Sequence, residues 1–310
     1  MVVNMDEEVV RKYIKAGDIA WRVKKSVINA IRPGIKLLKL ANDIENLIRD
    51  LGGEPAFPIN VSINSVAAHK TPLLDDTNLI INEGDVIKVD IGVHVEGYIA
   101  DTALTLCFND RYLGLVEACS EALEKALSMV GAGVKFSHIG KVIDETARKY
   151  SFRTIRNLGG HSLDRYEIHS GEVIPNYADP LSFGKFKKGG VYAIEPFLSN
   201  GKGYVVESKE VDIYALSRGK YKGLTNQELS LISYVSNRFK TLPFCERWLE
   251  ELGLDLIKLR TTLKELAVKN VLRQYPVLNE ALSTSIVVQF EETVIIADGV
   301  IVITNPNIKT

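Results

Sequence analysis

The stretch KVDIGVHVEGYIADTALTL, residues 88–106, places Asp90 and Asp101 inside apolar runs with the composition of β-strands. The dipeptide Glu96-Gly97 between the runs predicts a turn, so the stretch should fold as a β-hairpin. Folded about its midpoint, the hairpin would place Asp90 directly opposite Asp101, with the two Cβ atoms about 4.5–5.5 Å apart. Carboxylates this close in apolar surroundings repel each other, so either one is protonated or a cation lies between them. A hard divalent metal ion is the simpler explanation.

The overall composition is that of a soluble globular protein: 310 residues, 46% hydrophobic and 25% charged, with a formal net charge of −1. This near-neutral charge gives no electrostatic argument for nucleic-acid or membrane binding. The three cysteines lack CxxC spacing, which favours free thiols in a reducing compartment over disulfides or a thiolate metal site. No apolar run is long enough for a signal peptide or a membrane span, so we expect a cytoplasmic protein.

Helical and strand-like segments follow one another along the first half of the chain. Their boundaries come from apolar spacing and from Pro and Gly turn signals. The predicted helices are 6–31, 36–51, 112–130 and 136–150, and the predicted strands are 59–67, 85–95 and 98–108. The segment 218–280 is typical of helices almost throughout, and β-rich sequence returns at 285–296. We therefore interpret 218–280 as a helical insertion within a single domain spanning 1–310.

The chain also resembles itself. RPGIKLLKLANDIENLIRD (32–50) matches GAGVKFSHIGKVIDETARK (131–149) in its glycine, its lysine and its apolar positions. EGDVIKVD (83–90) matches KGGVYAIE (188–195), and each segment ends on a carboxylate six residues after a glycine. Two similar halves predict an internal duplication packed around a pseudo-two-fold axis.

More potential metal ligands occupy settings like those of the two aspartates. Glu195 ends the apolar segment GGVYAIE, Glu291 and Glu292 interrupt SIVVQF and TVIIA, and His161 follows two glycines. An oxygen-rich set with one imidazole suits a Mn, Fe, Co or Zn ion. It does not resemble a structural zinc site, which favours Cys and His ligands. Four carboxylates and a histidine exceed what one ion needs, which favours two ions. Two metals about 3.5–4 Å apart can deprotonate a bridging water and stabilise the oxyanion of amide hydrolysis.

Taken together, these motifs resemble the methionine aminopeptidases. The resemblance is carried by VDIGVHVEGYIADTALT, by Gly-Gly-His161-Ser162, by AIEPF around Glu195 and by QFEET around Glu291, which cover most of the chain in the family's order. It implies the α+β pita-bread fold with duplicated halves, and a centre of two divalent ions drawn from Co, Mn, Fe, Zn and Ni. The sequence does not identify the metal, because oxygen-rich sites follow availability as much as affinity.

The resemblance also implies a role for each ligand. Asp101 and Glu291 would bridge the two metals, Asp90 would complete the shell of one ion, and His161 and Glu195 would complete the other. One metal would hold the free amine of the substrate and polarise the scissile carbonyl, which a bridging hydroxide attacks. Glu195 would accept the proton from the water and pass it to the leaving amine.

Residues that contact the substrate are implied in the same way. His69 in AAHKTP and His169 in HSLDRYEIHSG match histidines that the family places against the substrate, with hydrogen bonds to it and to the transition state. The walls of the methionine side-chain pocket would be Phe57, Pro58, Ile168 and Tyr275. Substrates would be nascent chains whose second residue is small, because a large one would clash beside the metals.

The segment 218–280 corresponds to the helical insertion that separates type II enzymes from type I, and FKTLPFCERWLEELG (239–253) resembles type II sequence. The chain resembles the short archaeal form. We expect a monomer acting on nascent polypeptide N-termini, and docking to the ribosome stays open. Prolidase and aminopeptidase P, which share the fold and metal set, normally carry a large N-terminal domain. A non-catalytic binding protein on this fold would be expected to lose metal ligands and to carry basic patches.

Two positions depart from the family pattern. Glu292 stands where the family often has a histidine, and strand alternation predicts that its side chain points away from the site, on the face opposite Glu291. Gly159 stands where related enzymes can carry Asn, which would change the substrate pocket without changing the ligands. His94 and His138 are expected to have ordinary surface or core roles.

Overall fold

The computed structural model describes residues 5–219 and 221–308. The helices are α1 (Glu7–Ala30), α2 (Leu37–Asp50), α3 (Leu113–Met129), α4 (Phe136–Lys149), α5 (Asn226–Arg238) and α6 (Leu256–Val268), with 3₁₀ turns at Asp110–Tyr112 and Glu246–Leu252. The strands are β1 (Glu54–Pro55), β2 (Asn60–Ile63), β3 (Val66–Ala68), β4 (Val86–Val95), β5 (Tyr98–Cys107), β6 (Arg153–Thr154), β7 (Gly159–Leu163), β8 (Val173–Pro175), β9 (Val191–Ile194), β10 (Phe197–Ser199), β11 (Val205–Leu216), β12 (Phe244–Cys245), β13 (Leu272–Glu280), β14 (Val287–Gln289), β15 (Glu292–Ile296) and β16 (Val300–Val302). The four helices predicted in the first half are confirmed, with ends that shift by one or two residues.

Strands β4 and β5 form the predicted hairpin, but in a different register. Glu96 (φ 52°) and Gly97 (φ 90°) form a two-residue turn closed by the pair Val95 and Tyr98. Left-handed backbone at both turn positions matches the twist of the flanking strands, so the hairpin centre lies inside this dipeptide. Asp101 therefore pairs with Gly92, and Asp90 pairs with Ala103. The expectation that the two aspartates face each other directly was wrong: they are diagonal neighbours on the same face of the sheet.

The internal duplication is confirmed by equivalent backbone contacts in the two halves. Helices α2 and α4 each begin after a short bridge, Lys36 with Ile80 in one half and Lys135 with Lys185 in the other. The preceding glycines repeat the pattern, since Gly34 N donates to the Ile81 carbonyl and Gly133 N donates to the Phe186 carbonyl, each at 2.8 Å. Strand β1 pairs antiparallel with β4 as β6 pairs with β10.

The strands form four small sheets, ordered β1-β4-β2 with β5 on β4, β14-β10-β6, β12-β11-β13-β3, and β16-β15-β9-β7-β8. Helix α1 packs its apolar face on the hairpin, and α2 packs against α1, β1 and β2. In the second half α3 packs on β9 and β10, and α4 packs against α3, β6 and β8. The strand of the second half is interrupted at Glu195-Pro196, between β9 and β10, where the first half has the continuous β4. No helix of the described segments combines the length and hydropathy needed to cross a membrane.

The helical segment between β11 and β13 has its own apolar core, which includes Leu231, Leu259 and Leu263. Helix α5 begins with a capping box, in which Thr225 and Glu228 each bond the backbone N–H of the other. The predicted helical run to 280 was too long, because helix ends at Val268 and 272–280 is β13, the partner of β11. Packing against that long strand overrides the weak helical pattern. The description of 218–280 as a type II insertion stays a prediction.

Candidate metal centre

The five candidate ligands converge from five separate places in the sheets. Asp90 lies on β4, Asp101 on β5 and His161 on β7, while Glu195 follows β9 and Glu291 precedes β15. His161 Nε2 lies 3.4 Å from Glu195 Oε1 and 3.8 Å from Asp101 Oδ2. One ligand atom each from Asp101, His161 and Glu291 lie within 4.8 Å of one another. Residues far apart in sequence therefore form one compact set of oxygen and nitrogen donors.

Several donor atoms of this set are buried without a hydrogen-bond partner. They are Asp90 Oδ1, Asp101 Oδ1, His161 Nδ1 and Glu291 Oε1. Buried polar atoms are normally paired, and an unpaired carboxylate oxygen costs more than a neutral group would. The unpaired carboxylate oxygens of three neighbouring residues, together with the His161 Nε2 that faces the carboxylates, fit a cation that they would coordinate. The donor set therefore fits divalent metal, with the oxygen-rich chemistry expected for Mn, Fe, Co or Zn.

Burial and mutual repulsion shift the pKa values of these groups. Burial raises the pKa of Asp90 to about 7. Burial, and then the negative charges of neighbouring carboxylates, raise the pKa values of Asp101, Glu195 and Glu291 well above their usual range. Burial lowers the pKa of His161 to about 4, so its imidazole is neutral at pH 7, which is the form that binds metals.

Two threonine hydroxyls hold the strands that carry Asp101 and Glu291. Thr293 Oγ1 accepts from Asp101 N at 2.8 Å and donates to the Asp101 carbonyl at 2.7 Å. Thr102 Oγ1 donates to the Glu291 carbonyl at 2.7 Å, and Ala103 and Glu291 form a backbone bridge. The backbones of the two expected bridging ligands are therefore fixed against each other from both sides.

A cavity of about 520 Å³ opens above the five ligands, and its lining includes Phe57, His69, Ile168, His169 and Tyr275. Tyr275 forms edge contacts with His69, the ring centroids being 5.5 Å apart, and stacks at 6.3 Å from His169. The His169 ring in turn lies 4.4 Å from the ligand His161. The predicted substrate histidines are thus brought to the metal set. Pro58 is buried beside Phe57 but does not line the cavity; its carbonyl accepts from Asn60 Nδ2.

Comparison with known proteins places this arrangement in a family. The profile of metallopeptidase family M24 matches residues 11–298. A methionine aminopeptidase from Saccharolobus solfataricus is 41% identical over 301 residues, which cover 97% of this chain and 99% of the relative.

The chain belongs to the methionine aminopeptidases of family M24.

Solved structures agree on the fold. A structure titled as a thermophilic Arx1 superposes with a TM-score of 0.85 at 20% identity, covering 99% of this chain and 95% of the other. A methionine aminopeptidase from Thermotoga maritima superposes with a TM-score of 0.70 at 23% identity, covering 98% and 100%. The pita-bread fold and the metallo-aminopeptidase class expected from the sequence are confirmed. At these identities the two structures bear on the fold alone.

One member of the site was missed in the sequence. Gln289 Nε2 lies 3.4 Å from Glu195 Oε2 and 3.3 Å from Glu291 Oε2, so it donates to two of the four carboxylates. Gln289 is two residues before Glu291, and side chains two apart on an extended segment share a face. Strand alternation in QFEET already predicts that Gln289 faces the same side as Glu291, but the sequence prediction included only the acids.

The two departures from the methionine aminopeptidase pattern have structural explanations. A Cβ on Gly159 would lie 2.3 Å from the Ile174 carbonyl oxygen, so this chain cannot carry Asn there without moving β8. Glu292 points away from the metal set, as expected, but it is buried at 4% exposure and pairs with Lys24. His94 lies near the end of β4 beside the hairpin turn, and its Nδ1 accepts from Gly97 N. His138 is exposed on α4.

Metal binding by this methionine aminopeptidase should depend steeply on pH. In the metal-free protein the carboxyls hold protons near neutrality, so binding must release them, and affinity should rise about 10-fold per pH unit for each proton released. The raised pKa values stabilise the metal-free fold below the ordinary carboxyl pKa, and this contribution is lost as pH rises through about 7. Calorimetric Mn²⁺ titration between about pH 6 and 8, in buffers of different ionisation enthalpy, measures the affinity and the number of protons released. The melting temperature of the metal-free protein over the same pH range measures the change in stability. Affinity that is independent of pH would contradict these assignments.

Proposed function

We propose that this methionine aminopeptidase removes the initiator methionine from nascent chains whose second residue is small, using two divalent cations. The observation that carries the proposal is the convergence of four carboxylates and one imidazole, several with unpaired donor atoms, at the base of a cavity walled by Phe57, Ile168 and Tyr275. Asp101 and Glu291 would bridge the ions, with Asp90 on one side and His161 and Glu195 on the other. A non-catalytic binding role would leave the unpaired donor atoms of these ligands without an explanation.

Bound cations would lower the pKa of a water to give a nucleophile at neutral pH, and would polarise the scissile carbonyl. Glu195 would accept the proton from that water and return it to the leaving amine. Its Oε1 faces His161 Nε2, and its Oε2 accepts from Gln289, so both carboxylate oxygens have defined neighbours. Gln289 thereby orients the proposed proton acceptor.

The histidines at the cavity would orient the substrate. His69 Nδ1 lies 3.1 Å from the Pro276 carbonyl, and because a carbonyl only accepts, Nδ1 carries the hydrogen. Burial lowers the pKa of His69, so the ring is neutral and its Nε2 is free to accept from a substrate N–H group. Its φ of 65° is rare for a residue with a side chain, which indicates that the position is fixed by its surroundings. His169 is exposed to the same cavity and can bond to substrate or transition state.

Specificity for a small second residue is testable with two peptides. With Mn²⁺ or Co²⁺ added, kcat/KM for Met-Lys-Ser is expected to be about 100-fold or more below that for Met-Ala-Ser, because a long side chain beside the ligands displaces the scissile carbonyl. Peptide release measured by chromatography gives both rates, and Leu-Ala-Ser controls for methionine in the first position. Equal rates on the two methionine peptides would contradict the specificity, and no hydrolysis with any divalent ion would contradict the enzymatic assignment.

We also propose the type II form, a monomer, a cytoplasmic location and action on chains emerging from the ribosome. The type II proposal is supported by the helical segment between β11 and β13 and by the resemblance of 239–253. Contact with the ribosome itself would be tested by co-sedimentation with translating ribosomes.

A further inference from the structure

A buried ion pair lies directly behind the metal set. Lys24 on α1 and Glu292 on β15 are 2.7 Å apart, with side-chain exposures of 6% and 5%. Glu292 Oε1 also accepts from Asn305 Nδ2 at 3.1 Å, and the Lys24 ammonium lies over the Trp21 ring at 5.5 Å. A buried pair of this kind is costly to form and costly to break, since removing one partner leaves an uncompensated charge.

The pair is connected to the ligands through Thr102. Lys24 Nζ donates to Thr102 Oγ1 at 2.7 Å, and the single hydroxyl proton of Thr102 then points to the Glu291 carbonyl at 2.7 Å. Glu292 Oε2 lies 3.2 Å from the same hydroxyl and competes for that proton. Lys24 binds the other oxygen of this carboxylate, Oε1, and offsets its negative charge, so the shorter bond to the Glu291 carbonyl is the one that forms.

Position along the strands makes this chain of bonds relevant to metal binding. Thr102 follows Asp101 and Glu292 follows Glu291, and alternation turns each of these side chains to the face opposite the ligand. Lys24 therefore contacts the backs of both strands that carry the expected bridging carboxylates. The sequence also substitutes a carboxylate for the family's frequent histidine at this point, which a buried lysine balances.

We propose that Lys24 and Glu292 act as one positioning unit, which holds Asp101 and Glu291 in metal-binding geometry through the Thr102 hydroxyl. The inference rests on the proposed metal centre, but it concerns the protein's affinity for metal and not its turnover. Without Lys24, the Glu292 carboxylate draws the Thr102 hydroxyl away from the Glu291 carbonyl. Outer contacts of this kind typically change metal affinity 10- to 100-fold.

The test is calorimetric Mn²⁺ binding to the metal-free protein, with the melting temperature measured beside it. Lys24→Met is expected to weaken Mn²⁺ binding about 10- to 100-fold. Lys24→Met/Glu292→Gln should recover much of that loss, because a neutral amide donates to Thr102 Oγ1 and frees its proton for Glu291. Thr102→Val should weaken binding as Lys24→Met does, whereas Thr102→Ser keeps the hydroxyl and should bind like the wild type.

A matched control is Lys269→Met, which breaks the pair with buried Glu228 in the helical segment. It is expected to lower the melting temperature and leave Mn²⁺ affinity unchanged. If Lys24→Met and Thr102→Val lower the melting temperature but bind Mn²⁺ within about twofold of wild type, the pair only stabilises the fold and the proposal is overturned. If Lys24→Met does not fold, the difference in Mn²⁺ affinity between Thr102→Val and Thr102→Ser tests the proposal instead. If the protein hydrolyses no peptide but these variants change Mn²⁺ affinity as expected, the proposed function is refuted and this inference stands.

Discussion

Asp101→Asn is expected to abolish methionine release, lowering kcat/KM about 1,000-fold or more. The change keeps the size of the side chain but removes the charge of a residue expected to bridge both cations, and the loss of several kcal/mol of transition-state stabilisation corresponds to that factor. The purified variant should contain fewer metal ions per chain than the wild type, as measured by metal analysis. Assays on Met-Ala-Ser with saturating Mn²⁺ would measure the rate.

The matched control is Asp85→Asn. Asp85 is a buried aspartate just before β4, the strand that pairs with β5 in the hairpin, but its carboxylate accepts from Asn82 N and Asn64 Nδ2, away from the metal set. Its activity should stay within a few-fold of the wild type. His161→Ala should behave as Asp101→Asn does. An Asp101→Asn variant with near-normal rate and metal content would refute the ligand set.

Arg247→Met is expected to lower the free energy of unfolding by about 3–5 kcal/mol. Arg247 makes a bidentate contact with Glu45, with N–O distances of 2.9 and 2.7 Å, and both side chains are 3% exposed. The variant leaves the Glu45 carboxylate buried with only weaker donors, such as Trp248 Nε1 at 2.8 Å. Scanning calorimetry should show a melting temperature about 5–15 °C lower.

The same arginine joins the helical segment to the substrate side of the molecule. It donates to the Pro72 carbonyl and to Thr71 Oγ1, three and two residues after His69. KM for Met-Ala-Ser should therefore rise in Arg247→Met. Lys39→Met removes the partner of exposed Asp43 and should change stability by less than about 0.5 kcal/mol. A loss below 1 kcal/mol for Arg247→Met would show that the pair contributes little.

The sequence was most informative where the pattern is local or where ligands carry charge into apolar runs. The end of the first predicted helix before Pro33-Gly34 and the four carboxylates of the candidate metal set are of this kind. An acid within an apolar strand conflicts with its surroundings unless something binds it. The hairpin register was missed because the midpoint of the stretch was used instead of the turn geometry of Glu96-Gly97. Strand 272–280 was missed because its pairing with β11 is a tertiary effect that helical spacing does not reveal.

The pairs Lys24–Glu292 and Arg247–Glu45 were beyond sequence reasoning for another reason. Their partners are 268 and 202 residues apart, and each lysine or arginine lies in an ordinary amphipathic pattern. Only the fold shows that these positions are buried and that the charges meet. Gln289 differs from them, because its strand position relative to Glu291 was available in the sequence.

The repeated halves have a consequence for the symmetry of the catalytic machinery. Ser62, which pairs with Lys88, occupies in the first half the place that His161, paired with Ala193, occupies in the second. The nitrogen donor therefore exists on one side of the pseudo-axis alone. Two identical half-length subunits would necessarily present the same residue twice, whereas joining them in one polypeptide allowed each copy to drift independently. In the proposed metal centre the two cation positions would therefore be unequal, which two identical half-length subunits could not provide.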